Sequence, residues 1–327
     1  MSMTAVVQDR YGEAEEVLRV VQVPRPVPGP GEVLVQVQAA GVDRGAWHLM
    51  AGVPYPVRFA GFGVTAPRDP VRGRELAGRV VATGGDVAHL RAGDEVFGIA
   101  EGTFAEYATA RADLLVPRPS GVTPVQAAAT PISGLTALQA VRRHGEVRAG
   151  QEVLVLGASG GVGSFVVQIA KADGARVTGT ASTAKLDVVR AVGADAVVDH
   201  SREDVTGRFD VVIDNGGHRS LRALRRLLTR DGTLVIVGSE TGGRWVGGLD
   251  RTLRALLLSP FVRHRLRPLV SPENRRDLET LADLLASGRV VPHVEETYPL
   301  AATATAVAHL RDGRVRGKAV IEIIRET

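Results

Sequence analysis

The spacing of apolar positions changes near residue 123. Before it, apolar residues recur at every second position in short segments. GEVLVQVQAAGV (31–42) puts Val33, Val35, Val37 and Ala39 on one face and Gln36 and Gln38 on the other. That is the period of a half-exposed strand. GRELAGRVVATGG (73–85), LRAGDEVFG (90–98) and GTFAEYATA (102–110) read as further short strands closed by Gly or Pro. Many short strands separated by such turns predict a compact, barrel-like β domain over 1–122.

After 123 the pattern becomes strand–helix alternation. Thr123 can cap a helix starting at Pro124, and the helical stretch 124–145 is interrupted at Pro131 and Gly134. Strands are expected at 151–157, 176–182, 196–200, 210–217 and 233–239, with helices at 164–174, 183–193 and 218–232 between them. This spacing requires right-handed crossovers and a parallel sheet covered on both faces, a doubly wound domain over 123–289. A helix over 250–266 is broken at Pro260, RPLV (267–270) reads as an edge strand, and 273–290 reads as a helix. The tail (290–327) reads as strand, helix (301–311) and strand, returning to complete the first domain.

One stretch organises the second half. In QEVLVLGASGGVG (151–163), a buried apolar strand runs into Gly157, and an apolar helical stretch follows. Ala158, Gly160 and Gly163 occupy the three positions of a G-x-G-x-x-G loop, with Ala in the first. A helix start offers N–H groups that have no partner inside the helix, and its dipole favours an anion. Small residues let the backbone close on a diphosphate. Ala158, Ser159, Gly160, Gly161, Val162 and Gly163 are therefore candidates for binding a dinucleotide.

Composition narrows the remaining classes. The 327 residues contain no Cys, which removes disulfides, iron–sulfur clusters and thiolate zinc sites. The formal charge is only +4, the bases are scattered, and 4% of residues are aromatic, which argues against a nucleic-acid surface. No apolar run reaches the roughly 18 residues of a membrane span. The N-terminal residues lack a basic start and a long apolar core, so a cytoplasmic location is expected. Lysine occurs only at 171, 185 and 318 in a chain otherwise dominated by Arg.

The order of motifs resembles the medium-chain dehydrogenase/reductase superfamily, and within it the zinc-free quinone oxidoreductase branch. GDEVFG (93–98), FAEYA (104–108), ISGLTALQAV (132–141), GASGGVG (157–163), STAKLDVVRAVGADAVVDH (182–200), DVVIDNGG (210–217), GTLVIVG (232–238) and RGKAVIEI (316–323) carry the resemblance over essentially the whole chain. It implies an α/β protein: a GroES-like β-barrel domain plus a doubly wound Rossmann domain with a parallel sheet. Zinc members have a Cys near position 43 and a His near 74; here Asp43 and Arg74 stand there. Asp43, His48 and Glu75 could collect around a metal or form polar contacts lining a cleft, and oxygen-rich sites suit hard ions better than zinc.

The strand after the glycine loop ends in Thr180, Ala181 and Ser182, with no acid before Asp187. A carboxylate there would bind ribose hydroxyls, whereas Ser182 and Lys185 would attract a 2′-phosphate, so NADPH is the expected cofactor. Relatives carry a similar Ser and Lys, and a Tyr where His200 stands. Asn215, Gly216, Gly238 and Ser239 end two more strands on the same sheet edge. Ser133 and Thr136 resemble a cofactor-facing helix turn, with helix capping as the other reading. Lys318 joins the cofactor-binding candidates.

Without zinc, the expected acceptors are already electron-poor: quinones and α,β-unsaturated carbonyls. Asp43, His48 and Tyr55 are the catalytic candidates. Asp43 could pair with His48, which would then donate to a substrate oxygen. Trp47, Tyr55, Phe59 and Phe62 are expected to line or lid the pocket, with ordinary core packing as the other reading. Two other readings stand beside this one: an alcohol or aldehyde dehydrogenase with an atypical metal site, and a non-enzymatic, crystallin-like NADPH-binding protein. The edge strand at 267–270 suggests a homodimer.

Overall fold

A computed structural model of the protein describes residues 1–56, 58–59, 63–238 and 243–323. The chain forms two compact units. One comprises Met1–Ser133, Glu273–Gly288 and Val294–Thr327; the other comprises Gly134–Pro272 and Arg289–His293. Residues 123–133 and 273–288 thus pack with the first unit, although the sequence pattern groups them with the second. Strand–helix alternation shows which elements follow one another, not which core each helix covers.

The first unit is built on the strand Glu32–Val42, which pairs antiparallel with Glu75–Thr83, Tyr107–Arg111 and Lys318–Glu322. Two register shifts along its pairing with Glu75–Thr83 kink it. Val33, Val35 and Val37 are fully buried, as their alternation requires. A strand with three partners draws its sheet back on itself, giving the GroES-like barrel. The tail completes this sheet, with Lys318–Glu322 next to Glu32–Val42 and Val294–Pro299 beside it.

The second unit carries a six-stranded parallel sheet. In chain order its strands are Glu152–Leu156, Arg176–Ala181, Ala196–Asp199, Phe209–Asp214, Leu228–Ile236 and Arg265–Pro268. Their spatial order is third, second, first, fourth, fifth, sixth. This is the Rossmann order, and it reverses between the first and fourth strands. Val153, Leu154 and Val155 have no exposed surface, as a strand covered on both faces requires.

Three local expectations differ from the structure. The helix expected at 218–232 is only Leu221–Arg225, because Leu228 pairs with Phe209 and starts the fifth strand. Gly134 does not interrupt a helix: Pro131–Leu138 is continuous, and the break lies just before Pro131. The edge strand lies two residues earlier than 267–270, at Arg265–Pro268. Among the described residues no helix is long and apolar enough to cross a membrane.

Candidate functional site

At the switch point of the parallel sheet, the first strand delivers Gly157 and the fourth delivers Asn215. Gly157 has φ +72°, a conformation that glycine adopts without penalty. Its N–H faces the hydroxyl of Thr180 at 3.3 Å, and Ala158 N–H donates to the Thr180 carbonyl at 2.9 Å. The loop is therefore pinned to the second strand before the helix Gly161–Ala172 begins. A Cβ on Gly163 would overlap the Gly157 carbonyl and lie 2.8 Å from Ala158 Cα. Glycine is obligatory there because helix and loop touch.

Gly160 is different. A Cβ there would meet only the Gly157 oxygen, at an ordinary 3.6 Å. The protein's own packing does not demand glycine at 160, so the small residue keeps space open in front of the helix start. This is the cradle that a diphosphate needs, and the residues present fit such a group. Asn215 closes it from the side, its side-chain N–H donating to Leu156 O at 3.0 Å. Gly238 follows at the end of the fifth strand, where a Cβ would sit 3.3 Å from Asn215 O. The structure thus brings 157–163, Asn215, Gly216 and Gly238 to one sheet edge. Ser239 and Phe62 lie outside the described residues.

The second strand ends at Ala181, with Ser182 in extended conformation and Lys185 one turn on. Its neighbour supplies an acid that the reading of the second strand alone misses. Asp199 pairs in register with Ala181, so its carboxylate lies at the same edge. Asp199 accepts from the Thr183 hydroxyl and from Ser201 N–H at 3.0 Å. The Thr183 bond, followed by that of Ser201, holds its carboxyl below the usual range. Parallel pairing of consecutive strand ends is the signal that could have found it. His200, exposed, donates its backbone N–H to Ala181 O.

The first unit holds a buried charged cluster. Glu75 is fully buried, with Lys318 Nζ bonded to its Oε1. Its Oε2 accepts from Ile132 N–H at 2.9 Å, at the start of the helix that carries Ser133 and Thr136. Burial pushes the Glu75 carboxyl up, Lys318 opposes this, and nearby Asp43 adds to it. A Cβ on Gly41 would overlap the Glu75 carboxylate and the Ala128 carbonyl, so glycine makes the room this pair occupies. Lys318 is 2% exposed and committed to Glu75. The sequence places Lys318 among the cofactor contacts; in the structure its ammonium is bonded to Glu75 inside the first unit.

Asp43 caps the helix Arg44–Ala51 through Oδ1, which accepts from Ala46 N–H at 3.0 Å. Its Oδ2 is buried with no hydrogen-bond partner among the described residues. His48 lies on the same helix with Nδ1 3.0 Å from the Val53 carbonyl, and its ring tilts against Trp47 with centroids 4.7 Å apart. A carbonyl can only accept, so Nδ1 carries hydrogen. Tyr55 stacks under the guanidinium of Arg58, which also caps Tyr11. Phe59 is 75% exposed.

Two further charged groups of the first unit are paired within it. Arg74 binds Glu101 and Glu273; these two carboxylates outweigh its burial and raise its pKa. Lys318 occupies the carboxylate of Glu75. Among the described residues, no three His, Cys, Asp or Glu side chains gather where a metal could be held.

Residues 29–120 match the alcohol dehydrogenase GroES-like domain family, and 192–321 match the zinc-binding dehydrogenase family. The chain is 32% identical to the trans-enoyl reductase pgmF of Aspergillus terreus, over 90% of this chain and 87% of that protein. It is 30% identical to the chloroplastic quinone-oxidoreductase QR1 of Triphysaria versicolor, over 98% of each. Among solved structures, mycobacterial Rv1454c complexed with NADPH superposes with a TM-score of 0.80 at 30% identity, over 98% of this chain and all of that one. The chain therefore belongs to the medium-chain dehydrogenase/reductase superfamily, in its quinone-oxidoreductase-like branch, and is an NAD(P)H-dependent oxidoreductase acting on small molecules.

Proposed function

We propose that the protein reduces quinones or α,β-unsaturated carbonyls with NADPH and without zinc. The Lys318–Glu75 pair is the observation that carries this reading. An ammonium fills the place beside Glu75, and among the described residues no three His, Cys, Asp or Glu side chains gather that could hold a Lewis acid to polarise a plain carbonyl. An acceptor that is already electron-poor needs none. Trans-enoyl reductase and quinone-oxidoreductase relatives support the same substrate classes.

NADPH, when bound, supplies the hydride. The chain's residues bind, orient and protonate. N–H groups of 161–163 hold the diphosphate, and Ser182 and Lys185 hold the 2′-phosphate, with His200 at the rim. Asn215, Gly216 and Gly238 face the ribose and nicotinamide, and Ser133 and Thr136 form the turn that receives the same end. Asp43 Oδ2 and His48 Nε2 move a proton to the substrate oxygen or the adjacent carbon, and Tyr55 borders the substrate. Hydride plus one proton adds two hydrogens across the conjugated bond.

Two copies are read as pairing through the edge strand Arg265–Pro268, beside which Leu257, Phe261 and Val270 are 72%, 85% and 82% exposed. Sedimentation at twice the chain mass is the expected result. The test of the reaction is NADPH consumption against a panel of quinones, enones and saturated aldehydes, with saturated alcohols offered to NADP⁺. Turnover of quinones or enones is expected; turnover of saturated alcohols alone would sink the proposal.

A further inference from the structure

Asp214 ends the fourth strand and is 1% exposed. Its Oδ1 accepts from Gly217 N–H at 3.1 Å. Its Oδ2 accepts from Nη2 of Arg251, on the helix Leu249–Leu258. Arg251 is 7% exposed, yet its Nε and Nη1 have no hydrogen-bond partner among the described residues. The next residue, Asn215, gives its amide N–H to Leu156 O, which fixes its amide orientation. The remaining Oδ1 is buried and also without a partner. Leu156 immediately precedes Gly157, so these groups stand beside the switch point.

Two donors and one acceptor are thus withdrawn from water with nothing to bond, which native structures rarely leave uncompensated. Asp214 already balances the charge of Arg251. A phosphate would therefore bring one negative charge too many; Nε–H and Nη1–H lie on either side of Nη2 and diverge, so a neutral carbonyl oxygen matches one of them. An N–H matches Asn215 Oδ1. A primary carboxamide carries both groups on one carbon.

We propose that Arg251 is a ligand-binding residue that donates to a neutral carbonyl oxygen, that of the cofactor's carboxamide, while Asn215 Oδ1 receives the carboxamide N–H. This rests on the reading that loop 157–163 holds a nicotinamide cofactor. A substrate carbonyl is the other source of the same chemistry.

The test measures Kd for NADPH and for 2′-phospho-ADP-ribose, which lacks the nicotinamide, in the wild type and Arg251→Met. The double variant Asp214→Asn with Arg251→Met removes both buried charges together and covers the case in which the single variant does not fold. NADPH binding should weaken about tenfold in either variant, with the fragment within twofold of wild type. Equal weakening of both ligands would make Arg251 a structural residue and overturn the proposal. Unchanged binding of both with an unchanged substrate KM would overturn it too. Unchanged NADPH binding with KM raised about tenfold would assign the donors to the substrate and overturn the carboxamide assignment. A wild type that binds neither NADPH nor the fragment would overturn the cofactor reading itself, a result distinct from the rest.

Discussion

The two units treat charge in opposite ways. At the glycine loop, the second unit keeps side chains away from the start of a helix, with Gly160 spared any contact that would demand it. In the first unit, the place beside Glu75 is filled from within by Lys318, and Gly41 is emptied to admit the pair. One region is built to receive an anion. The other has satisfied the Glu75 carboxylate from within. In the proposed reading the division of labour follows: the diphosphate cradle is made of backbone, and the reaction side depends on an acceptor that is already activated.

The sharpest way to break that contrast is to remove the internal cation. Lys318→Met strands the buried carboxylate of Glu75 and should cost about 3–5 kcal/mol in chemical denaturation. Adding Glu75→Gln should recover most of the loss, because an amide oxygen still serves Ile132 N–H without a charge. Failure of the second change to rescue the first would mean that the pair is not the source of the cost.

Gly163→Val attacks the other region. The added atoms collide with Gly157, so NADPH binding should fall by at least about a hundredfold in a fluorescence titration. The far end of the cofactor gives a smaller and more selective effect. Lys185→Ala should weaken NADPH by about tenfold to a hundredfold and leave NADH unchanged. Asp199→Asn should move the preference a few-fold toward NADPH by removing a like charge from the same edge. Equal binding of both nucleotides, indifferent to Lys185, would contradict the 2′-phosphate assignment.

The smallest effect is on acid stability. Lys171 donates to Asp195 at 2.7 Å, and this bond, with that from Val177 N–H, lowers the carboxyl's pKa. A depressed folded pKa adds stability above the unfolded value of about 3.9, and that stability is lost as pH falls through the folded value. Asp195→Asn should therefore flatten the pH dependence of thermal unfolding below about pH 4, with little change at neutrality.

What could be read from the chain alone tracks how local each feature is. The strand, loop and helix of 152–172 are contiguous, and their apolar spacing and glycines carry the whole geometry. Asp199 was not read as part of the ribose edge, because only the pairing of two separate strands puts it beside Ala181. The partner of Lys318 is hidden for a related reason. It lies 243 residues away, and nothing in RGKAVIEI shows that the tail strand returns to Glu75. The Leu-rich stretch after Ser220 has helical spacing throughout, yet Leu228 joins a strand because Phe209 is available to pair with it. Arg251 carried no signal in the sequence; its isolation is a consequence of burial beside Asp214.

The central claim is that hydride reaches an already activated acceptor with no metal taking part. The direct measurement is the rate of NADPH-dependent reduction of an enone or quinone before and after exhaustive chelation, with zinc then added back. The account predicts the same rate in all three states. A rate that collapses on chelation and returns with zinc would contradict it.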